Sequence, residues 1–257
     1  MEPRKTIIAY AIKYNGDWDK IYQALHRLEV IEPEYEERVD NLKCGTLVIT
    51  DINYPAHIRN IFKPPFVFFY YGDISLIYEY SKNVSIVGSR DCSDYGAEMT
   101  KQIASGLAAR GFVIVSGLAR GIDGIAHESA INSGGKTIGI LGCGIDYCYP
   151  QENIGLYRTM KKDHLILSEF PGSVMPQPYQ FPIRNRLIAG LSKTLVVTEA
   201  GYCSGSLITA TLALRSNTDV MCVPHEAGKQ SECNRLIMNG AYLVESAEDV
   251  IEQMPAF

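Results

Sequence analysis

Residues 111–127, GFVIVSGLARGIDGIAH, constrain the fold more tightly than any other stretch of the chain. Phe112–Val115 is a short, wholly apolar, β-branched run, the pattern of a strand buried on both faces of a parallel sheet. Ser116-Gly117 ends it, and the loop Ala119-Arg120-Gly121 follows. Ile122-Asp123 then opens a helix with an acid in its first turn, where the macrodipole favours negative charge. A strand–loop–helix unit of this kind places small residues and one arginine at the carboxyl end of a strand. Open α/β sheets bind ligands at that edge, because helix N-termini there offer unpaired N–H groups to anions.

The same unit recurs downstream. Short apolar strands at 84–87, 112–115, 137–141, 165–167, 194–197 and 220–223 alternate with helical patterns at 97–109, 122–131, 154–160, 184–191, 206–214 and 235–238. Alternation of this kind predicts right-handed βαβ crossovers and a doubly wound, mostly parallel sheet, an extended Rossmann-like α/β fold. Upstream, apolar residues at helical spacing in 6–14 and 17–28, and Pro33 opening an acidic third helix, predict a small helical cap over residues 1–45. Residues 46–257 then form the Rossmann-like domain, with its core motifs in 84–244.

Of the 257 residues, 46% are hydrophobic and 21% charged, which suits a globular chain. Apolar runs such as 7–12 and 66–71 are far too short to span a bilayer. No basic-then-apolar leader precedes Thr6, and the seven cysteines lack paired spacing. A cytoplasmic protein with reduced thiols and no membrane contact is therefore expected. Net charge is −5, and up to Tyr80 nine Lys and Arg face twelve Asp and Glu, so neither part is a basic domain. Any nucleic-acid binding must come from local placement of arginines.

Five loops follow successive strands at the predicted binding edge. They carry Gly88-Ser89-Arg90, Ser116-Gly117 with Arg120-Gly121, Gly142 to Asp146, the stretch from Glu169 to Pro182 leading into Arg184-Asn185-Arg186, and Ser204-Gly205-Ser206. None reproduces the three glycines of a dinucleotide fingerprint, so no cofactor is expected. The glycines also read as plain tight turns. Arg90, Arg120, Arg184 and Arg186 all fall on this edge, and the planar fork of arginine suits phosphate. Gly205 and Ser206 offer a nest of backbone N–H groups at a helix start. Tyr179 and Phe181, among Pro176, Pro178 and Pro182, offer stacking platforms for bases.

The motifs IVGSR, SGLARGID followed by AH, TIGILGCGIDYCYP, SEFP, FPIRNRLIAGLS and VVTEAGYCSGSLITA occur in the order found in the DprA (Smf, DNA-processing protein A) family, which the chain resembles from about residue 85 to 244. The resemblance implies a dimeric, non-catalytic protein that binds single-stranded DNA in natural transformation, protects incoming strands and loads the RecA recombinase. It further implies that Ser89, Arg90, Arg120, Arg184 and Arg186 line the DNA pocket and that Phe181 touches a base or the sugar. The late segment around Leu236, Ile237, Met238 and Tyr242 resembles the family's self-association region. The chain departs from the family at His225 and Glu232, where glycine is usual. Ending at Phe257, the chain is expected to lack the winged-helix extension that some members of the family carry. The alternative is an enzyme, a nucleoside-monophosphate phosphoribohydrolase of the LOG type on the same fold. Laid on Gly205-Ser206, that family's catalytic acid falls on Thr209. A metal site drawn from Cys92, Cys143, Cys203, Cys233 and His225 has no CxxC to support it.

Overall fold

The computed structural model describes residues 2–201, 205–215, 218–228 and 231–254. The chain runs α1 (Pro3–Lys13), α2 (Trp18–Arg27), α3 (Pro33–Asp40), β1 (Gly45–Val48), α4 (Ala56–Arg59) and β2 (Val67–Gly72) before the alternating part begins. There follow β3 (Asn83–Gly88), α5 (Asp94–Ala109), β4 (Val113–Ser116), α6 (Ile122–Asn132), β5 (Lys136–Ile140), α7 (Ile154–Asp163) and β6 (Leu165–Ser168). The last part comprises α8 (Gln180–Gly190), β7 (Thr194–Glu199), α9 (Gly205–Arg215), β8 (Asp219–Cys222), α10 (Glu232–Met238), β9 (Tyr242–Leu243) and α11 (Ala247–Gln253).

The strands make one nine-stranded sheet in the order β1-β2-β6-β5-β4-β3-β7-β8-β9. From β6 to β9 every neighbouring pair is parallel, whereas β2 is antiparallel to both β6 and β1. The chain lays β4, β5 and β6 to one side of β3 and then crosses to β7 on the other. The strand order therefore reverses at β3, and open α/β sheets take their ligands beside such a point.

Alternation along each strand explains the layers. In β3, Val84 and Ile86 pack with α5 and α6 residues such as Ile103 and Ile122, while Val87 turns to the opposite core with Leu187 and Ile188 of α8. Both faces of the sheet are thus covered by helices, which is why its strands read as continuous apolar runs. The segment 1–45 does not stand apart from this sheet. Ile7, Ile8, Tyr10 and Ile12 of α1 share one core with Val48, Val67, Phe69 and Ile166 of β1, β2 and β6. Among the described residues no helix is long and apolar enough to cross a membrane.

Candidate nucleic-acid interface

Two loops meet backbone to backbone at the carboxyl end of the sheet, and their glycines are what allow it. Gly121 has φ +75°, and a Cβ there would lie 2.4 Å from the Ser89 carbonyl oxygen. One on Gly88 would lie 2.5 Å from Ile122 Cγ1. The Ile122 N–H donates to Ser89 O at 3.2 Å, tying the start of α6 to the loop after β3. Leu118 takes φ +55° with its side chain fully buried, and Asn153 Nδ2 donates to the carbonyls of both Leu118 and Ala119. A non-glycine residue in the left-handed region persists only where its surroundings over-determine it, as they do here. Ser116 is part of the same frame: it is buried, and its hydroxyl donates to Ile86 O at 2.6 Å.

These loops wall a cleft of about 330 Å³ over the ends of β3, β4 and β5. Arg184 forms its floor. This side chain is only 4% exposed, and its Nη1 donates to Gly117 O at 2.6 Å and to Ile140 O. Its Nε donates to Asn185 Oδ1 at 3.1 Å. Gly117 makes room for it, since a Cβ there would lie 2.4 Å from Nη1. Burial lowers the Arg184 pKa, Asp123 opposes that shift, and Arg90 adds to it. The Asp123 carboxyl is itself pushed up by burial and held back chiefly by Arg184; its Oδ2 also accepts from the Gly117 N–H. The floor is therefore a desolvated cation with a second cation near it, an environment that an anion stabilises.

At the mouth, the exposed Arg90 guanidinium lies 5.4 Å from the Phe181 ring centroid, and the Tyr149 ring, tilted by 43°, stands 5.6 Å from Phe181. Gly142 lets that ring settle, because a Cβ there would lie 2.7 Å from it. Arg120 also lines the cleft and pairs with Asp91 at 2.6 Å, both side chains being more than half exposed. The cleft thus offers guanidinium groups for phosphates beside aromatic faces for bases.

The remaining arginine stands elsewhere. Arg186 chelates Glu169 through two bonds of 2.6 Å, with side-chain exposures of 6% and 8%. Its other donors reach the carbonyls of Phe62, Lys63 and Ile183. All five N–H groups of the fork are engaged, so Arg186 has none to give a phosphate. One helical period explains the split: Phe181 and Arg184, three apart on α8, share one face, and Arg186 lies on another. Tyr179 likewise lines a separate groove and not the cleft. Asn185 donates to Gly205 O at 3.3 Å and so joins α8 to α9. Gly205 and Ser206 begin α9 without lining the cleft, and Ser204 lies outside the described residues. Cys203 lies outside them too.

Gly142 belongs to the third of the binding-edge loops read from the sequence, whereas Tyr149, in the same loop after β5, is not among the expected site residues; an aromatic residue beside a proline in a binding-edge loop was the signal available. His225 is bound to Thr198 O at 3.1 Å and set edge-on to Tyr95, and Glu232 pairs with Arg235 at the start of α10. Neither lines the cleft. Thr209, where a phosphoribohydrolase would carry its acid, is buried with its hydroxyl on Gly205 O.

Comparison with known proteins agrees with this architecture. The DNA processing protein DprA of Bacillus subtilis is 37% identical over 256 residues, which covers 98% of this chain and 84% of that one. The X-ray structure of DNA processing protein A from Streptococcus pneumoniae superposes with a TM-score of 0.80 at 34% identity, covering 98% and 94% of the two chains. The Helicobacter pylori DNA processing protein A, solved for its mode of binding single-stranded DNA, gives 0.75 at 30% identity over 82% of this chain and 95% of that one. With residues 45–255 matching the family model described as DNA recombination-mediator protein A, the chain belongs to the DprA/Smf family.

Proposed function

We propose that this protein binds single-stranded DNA in the cleft between Arg90, Phe181 and Arg184, and that it acts in natural transformation. In this reading it shields incoming strands in the cytoplasm and passes them to the RecA recombinase. The observation that carries the reading is the Arg90 guanidinium over the Phe181 ring above a buried Arg184. An aromatic platform beside cations is how proteins hold single strands without reading sequence, since every base has a face to stack. The single-stranded DNA binding of the Helicobacter pylori relative supports it. The protein carries strands and does not cut them or release bases. It works as a symmetric homodimer through the sheet edge at β9, where Met238, Tyr242 and Leu243 are exposed. Sedimentation at micromolar concentration should give the dimer; a monomer there contradicts the pairing.

A salt titration on one oligo-dT tests the cleft. Three phosphate contacts from Arg90, Arg120 and Arg184 give a slope of log affinity against log salt of about 2. Arg90→Ala should lower that slope by nearly one contact's worth. Phe181→Ala should leave the slope alone and weaken binding by about 1–3 kcal/mol, because stacking is largely uncharged. A flat salt response in the wild type means the arginines are ordinary surface charges.

A further inference from the structure

A larger groove, about 960 Å³, lies on the other side of the first turn of α8. Its walls are the turn between α1 and α2, the loop after β6, and residues of α8 and α9. Three ion pairs are held among its lining side chains: Arg186 with Glu169, Lys63 with Asp19 at 2.6 Å, and Lys20 with Asp17 at 3.5 Å. Its most exposed apolar side chains are aromatic, with Met175, Ile183 and Ile208 beside them. Phe62 is 73% exposed and Tyr179 62%. The Lys63 ammonium lies 5.8 Å from the Phe62 ring centroid and 5.2 Å from that of Trp18. Rings with a cation beside them are the same components that build the cleft.

The two sites are continuous through α8. Phe181 and Arg184 line the cleft, while Tyr179, Pro182 and Ile183 line the groove. A helix with its side chains is about 10 Å across. A stacked strand advances about 3.4 Å per nucleotide, so about three nucleotides bridge the ridge. Resting on the reading of the cleft given above, we propose that a DNA strand held there runs on across α8 into this groove, where Phe62 and Tyr179 stack its bases and Lys63 meets its backbone. Three of the groove's four lining cations are paired with its acids, and the fourth, Arg38, lies over the Tyr35 ring, so most of the added binding comes from stacking and the salt slope rises by about 0.7 for each backbone contact made there.

The chain has a single tryptophan, Trp18, and it stands in the groove wall, so groove and cleft can be followed separately. Binding of labelled dT4 and dT12 to the full chain is measured by anisotropy, and Trp18 emission is recorded at saturation. The expected result is that dT12, after correction for its nine four-nucleotide registers, binds at least about thirtyfold more tightly than dT4, the gain of two further stacked bases. Emission should change with dT12 and not with dT4. Phe62→Ala, an exposed position, should cut the gain from length by at least about fivefold, leaving the share of Tyr179, and leave dT4 binding as it was. Length-independent affinity, unchanged Trp18 emission under saturating dT12, or full retention of the gain in Phe62→Ala each overturns the groove while the cleft stands. If neither oligonucleotide binds, the cleft reading falls and takes the groove with it.

Discussion

Arg184 and Arg186 are two residues apart, and their environments assign them opposite work. Arg184 spends two donors of its fork on carbonyls at the ends of two strands and lines the cleft. Arg186 is locked with Glu169 inside the protein. Removing one partner of a buried pair strands the other charge, so Arg186→Ala should cost about 3–5 kcal/mol of unfolding free energy. The loss should shrink when Glu169→Gln is added, since the stranded charge is then gone. Chemical denaturation reads both, and the salt slope of DNA binding in folded Arg186→Ala should match the wild type. A lower slope would return Arg186 to the phosphate contacts. Glu199 is structural in a different way: its partly buried carboxylate accepts from the Ser93 N–H and hydroxyl at the start of α5, so Glu199→Ala should lower stability and abolish no turnover.

At the scale of elements, the strands and crossover helices were legible because burial on both faces writes a nearly continuous apolar run, as in FVIV before Ser116 of β4 and in VSIV of β3, whose one polar residue, Ser85, is buried with its hydroxyl on Ile188 O. The edge position of Arg90, Arg120 and Arg184 followed from the same alternation. What could not be read was rotation about a helix axis: whether Arg186 and Tyr179 face the cleft depends on where α8 begins. It begins at Gln180, with Pro182 in the first turn, where a missing N–H costs nothing. Nor does a sequence show which glycine admits which side chain. Gly142 and Gly117 are both in strand-end loops, yet one accommodates the Phe181 ring and the other the Arg184 guanidinium. These differ in what can yield. Phe181 is half-buried and can tilt away, so Gly142→Ala should leave stability nearly unchanged and weaken oligo-dT binding as Phe181→Ala does. Arg184 is pinned by two carbonyls, so Gly117→Ala should cost about 1–3 kcal/mol, the usual range for overpacking. Equal unfolding midpoints for the two variants would show that the pinning is not what holds Arg184.

At the scale of the whole molecule, the acid excess gives the protein no general attraction for DNA, and its response to pH comes from inside. Burial pushes the His127 pKa down to about 3 and that of His57 down to about 4, against an ordinary value of 6.5. His127 is held as the neutral ring by its neighbours. The Thr137 hydroxyl gives its proton to Ile114 O and so accepts from His127 Nδ1–H, which leaves Nε2 a buried lone pair without a partner. His57 stacks on Tyr80 with ring centroids 4.0 Å apart. In the unfolded chain both rings take up a proton as pH falls through 6.5, while the folded protein keeps them neutral until pH 3 to 4. Protons thus favour unfolding across that window, and stability, fully present above pH 6.5, is lost as the solution becomes more acid. At pH 5 each ring costs about 2 kcal/mol, from 1.36 kcal/mol per unit over the interval. Asp123 works in the other direction, because burial raises its carboxyl, while His164, lowered by burial and by Lys136, works with the other two histidines. Unfolding free energy should therefore fall as the pH is lowered from 6.5 to 5. His57→Phe keeps a ring against Tyr80 and removes the titration, so its slope at pH 5 should be shallower by about 1.2 kcal/mol per pH unit. A His57→Phe profile parallel to the wild type would mean that this ring takes up its proton in the folded protein as readily as in the unfolded chain.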